Sequence, residues 1–176
     1  MWIFAYGSLI FRPDFEWVER RRGFVSGFVR RFWQGSPDHR GVPEAPGRVV
    51  TLVRQEGGVC GGCAYRVDAR AALGILVALA ARGQAGFERT PVDVMDAPAD
   101  RTFAEAVTWV AGPSNAHFLG PLPKREIAEI IRARRGPSGP NAEYALRLRD
   151  GLRALEVEDE STLRRDVDTA EHLALA

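Results

Sequence analysis

Cysteine is scarce in this chain: Cys60 and Cys63 are its two, set in the run Cys60-Gly61-Gly62-Cys63. That excludes a disulfide framework. A structural zinc site needs two further soft ligands, and no second cysteine pair exists; His39, His117 and His172 are scattered without ligand spacing. A redox CxxC places its first cysteine at a helix N-terminus, whereas this one leads into Ala64-Tyr65-Arg66-Val67, which reads as a strand. The expectation is two reduced thiols in or beside that strand. Long apolar runs are also missing. Nothing approaches the roughly 18 residues that span a bilayer, and the greasiest stretch, 71–81, is interrupted by Gly74. The N-terminus has no basic region ahead of its apolar residues, so it does not read as a signal peptide, and a cytoplasmic location is expected. An excess of one charge is absent too: the formal net charge is +1, which favours neither nucleic acid nor an anionic membrane. Lysine is nearly missing. Of 24 basic residues only Lys124 is lysine, which reads first as base composition and second as a supply of planar anion-binding forks.

What is present fits an ordinary globular chain. Hydrophobic residues make up 45% and charged residues 27% of 176 residues, so the chain buries enough surface to fold without a staple. Residues 2–6, 24–32, 49–53 and 59–67 read as strands, with a bend at Gly27 and a hairpin turn at Gly57-Gly58. A loop with Pro37, Pro43 and Pro46 runs from Gln34 to Gly47. Asp68 suits the N-cap of a helix over about 69–82. Leu73, Ile75, Leu76, Val77 and Leu79 make that helix apolar on nearly every side, which predicts deep burial. Residues 87–94 and 103–110 read as two more strands. Pro123 opens a helix with Ile127, Ile130 and Ile131 on one face. Asn141 suits the N-cap of another, with Tyr144, Leu148, Leu152 and Leu155 at helical spacing, and a last helix carries Leu163, Val167, Ala170 and Leu173. Strands first and helices later predict one α+β domain over 1–176. It is mainly β with one buried helix in 1–112 and mainly helical in 123–176, with the sheet antiparallel or mixed and open to curling into a small barrel.

Two segments carry chemistry. Tyr6-Gly7-Ser8-Leu9 follows the first strand, and a glycine with a small polar residue at a strand end lets backbone N–H groups converge on an anion. The run from Arg30 to Arg48 joins arginines with Phe32, Trp33, Gln34, His39 and several glycines. It offers donors for carboxylates and amides; a nucleic-acid surface is the competing reading, and the near-neutral charge weighs against it.

Taken together these segments resemble the ChaC family, the glutathione-specific γ-glutamylcyclotransferases. The resemblance rests on residues 2–10, Arg31-Phe32-Trp33-Gln34-Gly35, His39-Arg40-Gly41, residues 46–52, Ala64-Tyr65-Arg66-Val67, Phe118-Leu119-Gly120-Pro121, and residues 136–141 with Glu143-Tyr144. It implies a γ-glutamylcyclotransferase-like fold, a small mixed β-barrel with flanking helices. It also implies release of 5-oxoproline and cysteinylglycine from glutathione without metal or cofactor. Tyr6, Gly7, Ser8 and Leu9 then hold the γ-glutamyl moiety. Arg40 and Arg48 are the candidates for substrate carboxylates, with surface ion pairing as the rival role. Tyr144 is a further substrate candidate, although its apolar stripe favours core packing. One position departs from the family. The family's catalytic glutamate falls at Gly83, in Arg82-Gly83-Gln84-Ala85-Gly86-Phe87, and nothing between Arg70 and Phe87 is acidic. Three readings follow: Glu88 substitutes as the proton-transfer group, with Asp68 and Glu56 further off; the chain binds γ-glutamyl compounds without turning them over; or the pocket serves another γ-glutamyl amide or amine. The partner in each case is a small γ-glutamyl molecule, with no nucleic acid and no membrane.

Overall fold

The computed structural model describes residues 1–82 and 86–157. Gly83 and the expected last helix with Leu163, Val167, Ala170 and Leu173 lie outside the described residues. Five strands close into a barrel in the order β1-β3-β2-β4-β5. They are β1 (Trp2–Ala5), β2 (Glu19–Ser36), β3 (Gly47–Arg66), β4 (Glu88–Met95) and β5 (Thr102–Val110). Neighbours are antiparallel except across the closing seam, where β1 runs parallel to β5 through Trp2 opposite Ala106 and Ile3 opposite Val107. The α+β barrel read from the sequence is therefore the fold observed.

The longest ladder joins β2 to β3, and here the expected hairpin at Gly57-Gly58 gives way to a different device. Residues 47–66 are one continuous strand that pairs with β2 along its length. Ser26 faces Val59 while Phe28 faces Arg54, so residues 55–58 are an outward bulge opposite Gly27. Gly57 at φ +67° and Gly27 at φ +77° take backbone conformations that cost a side-chain-bearing residue, and both strands bend there together. The glycines curve the barrel wall without reversing the chain. The true reversal is the proline-rich loop 37–46.

The barrel core holds Phe4, Phe24, Val25, Leu52, Tyr65 and Val94, all nearly without solvent contact. Cys60 and Cys63 are free and buried in β3, as read from the strand-like flank of the motif. Burial pushes both thiols above their ordinary pKa, with Arg30 pulling the other way at Cys60.

Helix α1 (Ala72–Arg82) corrects the expectation of deep burial. Leu79 packs with Ile3 and Val67, but Leu73 and Val77 are 73% and 62% exposed. One flank meets the outside of the barrel and the other faces solvent, because no second layer covers it among the described residues. The helix also starts at Ala72: the Asp68 carboxylate accepts from the Arg70 N–H at 2.8 Å, forming a turn before the helix. Helix α2 (Lys124–Ala133) buries Ile127 and Ile131. A two-residue ribbon, β6 (Arg135–Gly136) against β7 (Gly139–Pro140), leads into α3 (Asn141–Ala154). Tyr144, Leu148, Leu152 and Leu155 are buried as their spacing predicts.

Asn141 is not the N-cap; that position is Pro140. Its side chain instead binds a strand. Oδ1 accepts from the Arg48 N–H at 2.6 Å and Nδ2 donates to the Arg48 carbonyl at 2.8 Å. A buried amide thus imitates a neighbouring β-residue and clamps α3 to β3.

Candidate active site

β1 ends at Ala5, and the chain turns through a short 3-10 segment at Ser8–Ile10, closed by the Ile10 N–H on the Gly7 carbonyl at 3.0 Å. This places Tyr6, Gly7, Ser8 and Leu9 on one wall of a cavity of about 410 Å³. Gly35, Ser36, Asp38, His39 and Arg40 form another wall, and Thr108, Trp109, Ser138 and Tyr144 complete much of the rest. A cavity of this size holds a tripeptide-sized ligand.

The turn is held from behind. The Tyr6 hydroxyl donates to the Trp109 carbonyl at 2.6 Å, and burial drives its pKa far above the ordinary tyrosine value. It is a fixed strut and a poor proton acceptor or donor to substrate. The Tyr6 carbonyl accepts from Arg30 Nε at 2.7 Å, and the second arm of that guanidinium bonds to the Gly61 carbonyl. Because the peptide is planar and trans, a carbonyl turned toward Arg30 sends the Gly7 N–H to the opposite side.

Arg40 is buried on the cavity wall. It donates to the Pro140 carbonyl at 3.0 Å, lies 3.9 Å from Glu143, and sits 5.8 Å from the Tyr144 ring centroid. Burial lowers its pKa and Glu143 opposes that, so the cation persists at neutral pH. Tyr144 packs in the core, as its apolar stripe suggests, and also lines the cavity. Its ring packs edge-on against Phe11 and Phe32, and its hydroxyl accepts from the Val50 N–H at 3.3 Å.

Two candidates are not brought to this site. Arg48 is 2% exposed and off the cavity wall, with Nη1 donating to the Phe32 carbonyl at 2.9 Å and the Gly120 carbonyl at 2.8 Å. It ties β2 to the 118–121 segment and has no access to a substrate carboxylate. Glu88 opens β4 opposite Val110 and is exposed. Phe87, one residue before the strand, reaches the cavity and Glu88 does not. Asp68 and Glu56 are likewise exposed and off the wall.

The cavity also contains residues the sequence reading passed over. Arg12 and Asp14 line it as a pair, 3.2 Å apart. Asp38 and Ser138 line it on either side of His39. The signal for Arg12 was its position just after the Tyr-Gly-Ser-Leu turn. Asp38 and Ser138 lie 100 residues apart in sequence, and only the packing of the 135–140 ribbon on loop 37–46 joins them. Among the described residues no group of three His, Cys, Asp or Glu is placed to hold a metal ion. None of the described helices is long and apolar enough to cross a membrane.

A closed barrel with a strand-end turn, two guanidinium groups and an imidazole around one small cavity defines a binding protein or enzyme for a compact anionic or zwitterionic molecule. The comparisons narrow the class. The family described as ChaC-like protein matches residues 1–169, and this chain belongs to that family. It is similar to glutathione-specific γ-glutamylcyclotransferase 1 of Homo sapiens, 44% identical over 152 residues, covering 85% of this chain and 68% of the human protein. It is also similar to γ-glutamylcyclotransferase 2-3 of Arabidopsis thaliana, at 39% over 168 residues, covering 90% and 83% of the two chains. The crystal structure of a yeast γ-glutamyl cyclotransferase specific to glutathione superposes with a TM-score of 0.89 at 26% identity, covering 98% of this chain and 96% of that one.

Proposed function

We propose that this chain is a γ-glutamylcyclotransferase that converts glutathione into 5-oxoproline and cysteinylglycine. The observation that carries the reading is the cavity around Tyr6-Gly7-Ser8-Leu9 and Arg40 in a chain this similar to enzymes of that name. The reading as a non-catalytic γ-glutamyl binder gains nothing from the comparisons.

The chemistry suits the cavity. The α-amino group of the γ-glutamyl residue attacks its own γ-carbonyl carbon and closes a five-membered lactam. Nucleophile and electrophile belong to one residue, so the protein's main task is to hold that residue folded, an intramolecular proximity effect. The C–N bond to cysteine then breaks. Two protons leave the α-ammonium on its way to the lactam N–H, and two arrive on the departing nitrogen. Charge develops on the γ-carbonyl oxygen, and the backbone of the Tyr6–Leu9 turn presents N–H groups there. Arg40, buried and positive, takes a substrate carboxylate, and Arg12 supplies a second cation on the same wall. Glutathione carries two carboxylates and one ammonium, which matches a wall bearing both signs of charge.

The family match over 1–169 supports treating 1–176 as one domain. Two free, buried cysteines support a reducing compartment such as the cytoplasm. The test is direct: incubate the protein with glutathione and follow 5-oxoproline and cysteinylglycine by mass spectrometry. Equal release of both, well above the uncatalysed rate, is expected. Glutathione that binds but stays intact would refute the enzyme reading.

A further inference from the structure

The cyclisation needs a group that accepts a proton from one nitrogen and returns one to another. Several groups on the cavity wall are unsuited to this. The Tyr6 hydroxyl is committed to Trp109 and resists ionisation. Asp14 is already ion-paired with the Arg12 guanidinium at 3.2 Å. The guanidinium groups stay charged.

His39 is different. Its Nδ1 stands 3.0 Å from Ser138 Oγ, and its Nε2 stands 3.8 Å from Asp38 Oδ2. Asp38 is itself hydrogen-bonded to Ser36 Oγ at 3.3 Å. All four residues lie on the cavity wall, and half of the His39 side chain is open to solvent. The ring is set in place by main-chain packing as well. The Ser138 N–H donates to the His39 carbonyl at 2.9 Å. A Cβ on Gly136 would fall 2.4 Å from that same carbonyl oxygen, so the ribbon approaches the loop this closely only with glycine there. Ser138 on Nδ1 orients the imidazole, and Nε2, beyond hydrogen-bond distance from the flanking Asp38 carboxylate, is the nitrogen left for proton transfer.

We propose that His39, oriented by Ser138 and flanked by Asp38, is the catalytic residue that moves the protons of the cyclisation. The proposal rests on the γ-glutamylcyclotransferase reading. The imidazole takes a proton from the α-amino nitrogen as the N–C bond forms, and gives it to the cysteine nitrogen as the amide C–N bond breaks. The imidazole ends as it began, and no other reactant is consumed. Asp38 and Ser138 act through His39 and are positioning residues. The other charged side chains on the cavity wall are Arg12, Asp14 and Arg40, and Glu143 on α3 lies 3.9 Å from Arg40.

The test compares the wild-type protein with His39→Gln, His39→Ala, Asp38→Asn and Ser138→Ala, each checked for glutathione binding by calorimetry. His39→Gln should lower kcat by about 10² to 10⁴ while leaving the glutathione Kd within about threefold. Added imidazole should restore turnover to His39→Ala at least about tenfold, which a purely structural histidine does not allow. Asp38→Asn and Ser138→Ala should each lower kcat while leaving the glutathione Kd near wild type, because the ring loses a neighbour that orients it. The proposal falls if His39→Gln keeps kcat within about threefold of wild type, or if imidazole fails to rescue an otherwise glutathione-binding His39→Ala. A wild-type protein that binds glutathione without producing 5-oxoproline would refute the parent reading and this one together. Wild-type turnover with an unaffected His39→Gln would refute this one alone.

Discussion

Arg30 Nε and the Tyr6 carbonyl oxygen meet at 2.7 Å inside the barrel, 24 residues apart in sequence. The cation is 6% exposed, and its contact fixes the peptide plane from which the substrate-side turn begins. Arg30→Met should strand the Tyr6 and Gly61 carbonyls. Each orphaned buried acceptor costs about 1–3 kcal/mol, so thermal denaturation should show a clear loss of Tm. Turnover of the folded fraction at low temperature should fall too, because the peptide plane is no longer held. A variant with wild-type Tm and turnover would remove Arg30 from the site's support.

Arg40 and Arg48 separate by role. Arg40→Met should raise the KM for glutathione by roughly 10- to 100-fold, in line with loss of a charge-assisted contact, with a smaller effect on stability. Arg48→Met should do the opposite. It leaves the Phe32 and Gly120 carbonyls unsatisfied, lowering stability by about 2–4 kcal/mol, while KM in the folded protein stays near wild type. Urea denaturation and steady-state kinetics on both variants distinguish the two patterns.

Gly7 should reject even one methyl group. A Cβ there would stand 3.2 Å from Val50 Cγ2 and 3.4 Å from the Tyr144 hydroxyl. Gly7→Ala should therefore displace the turn by a few tenths of an ångström and lower kcat/KM by about tenfold or more, since near-attack geometry is sensitive to such shifts. Circular dichroism should stay native. Unchanged kcat/KM would show that the turn tolerates the shift.

Alkali should unfold the protein through two tyrosines. Burial raises the pKa of Tyr6 and of Tyr65, whose hydroxyls donate to the Trp109 carbonyl and to the Leu9 carbonyl at 2.9 Å. In the unfolded chain both ionise near pH 10, whereas the folded chain keeps their protons. Above that pH the unfolded state binds fewer protons, so stability falls as pH rises; below it their contribution is complete. Denaturant midpoints measured from pH 8 to 11.5 should be flat at first and then drop, and Tyr65→Phe should flatten part of the drop. A midpoint that holds through pH 11.5 would contradict the shifts.

The architecture was readable because it depends on local signals. Alternating strands, a proline-rich loop and the Tyr144–Leu148–Leu152–Leu155 stripe all lie where pattern places them. The errors arose where a residue's partner was distant. Gly57-Gly58 reads as a hairpin because a glycine pair is ambiguous between turn and bulge; only the pairing of Ser26 with Val59 and of Phe28 with Arg54 on either side decides. The apolar helix 72–82 looked buried, since composition does not reveal how many neighbours are available. Arg40 and Arg48 look alike in sequence, yet one faces the cavity and the other is enclosed by carbonyls. Glu88 is the nearest acid in sequence to Gly83, but it sits exposed at the very start of β4 and off the cavity wall. Asp38, His39 and Ser138 come together only because Gly136 lets a ribbon press onto a loop, a fact of packing that no single segment records.

The parallel seam between β1 and β5 has a consequence for synthesis. The strand that carries the site turn is made first, but its pairing partners at Ala106 and Val107 come late. At usual elongation rates of about 5–20 residues per second, β1 waits roughly 5–20 s for them on the ribosome. During that interval Ile3 and Phe4 have no finished barrel to enter. A chaperone that binds short apolar segments would find its target in β1 during that interval, and polar substitutions at Ile3 should register in the yield of soluble protein.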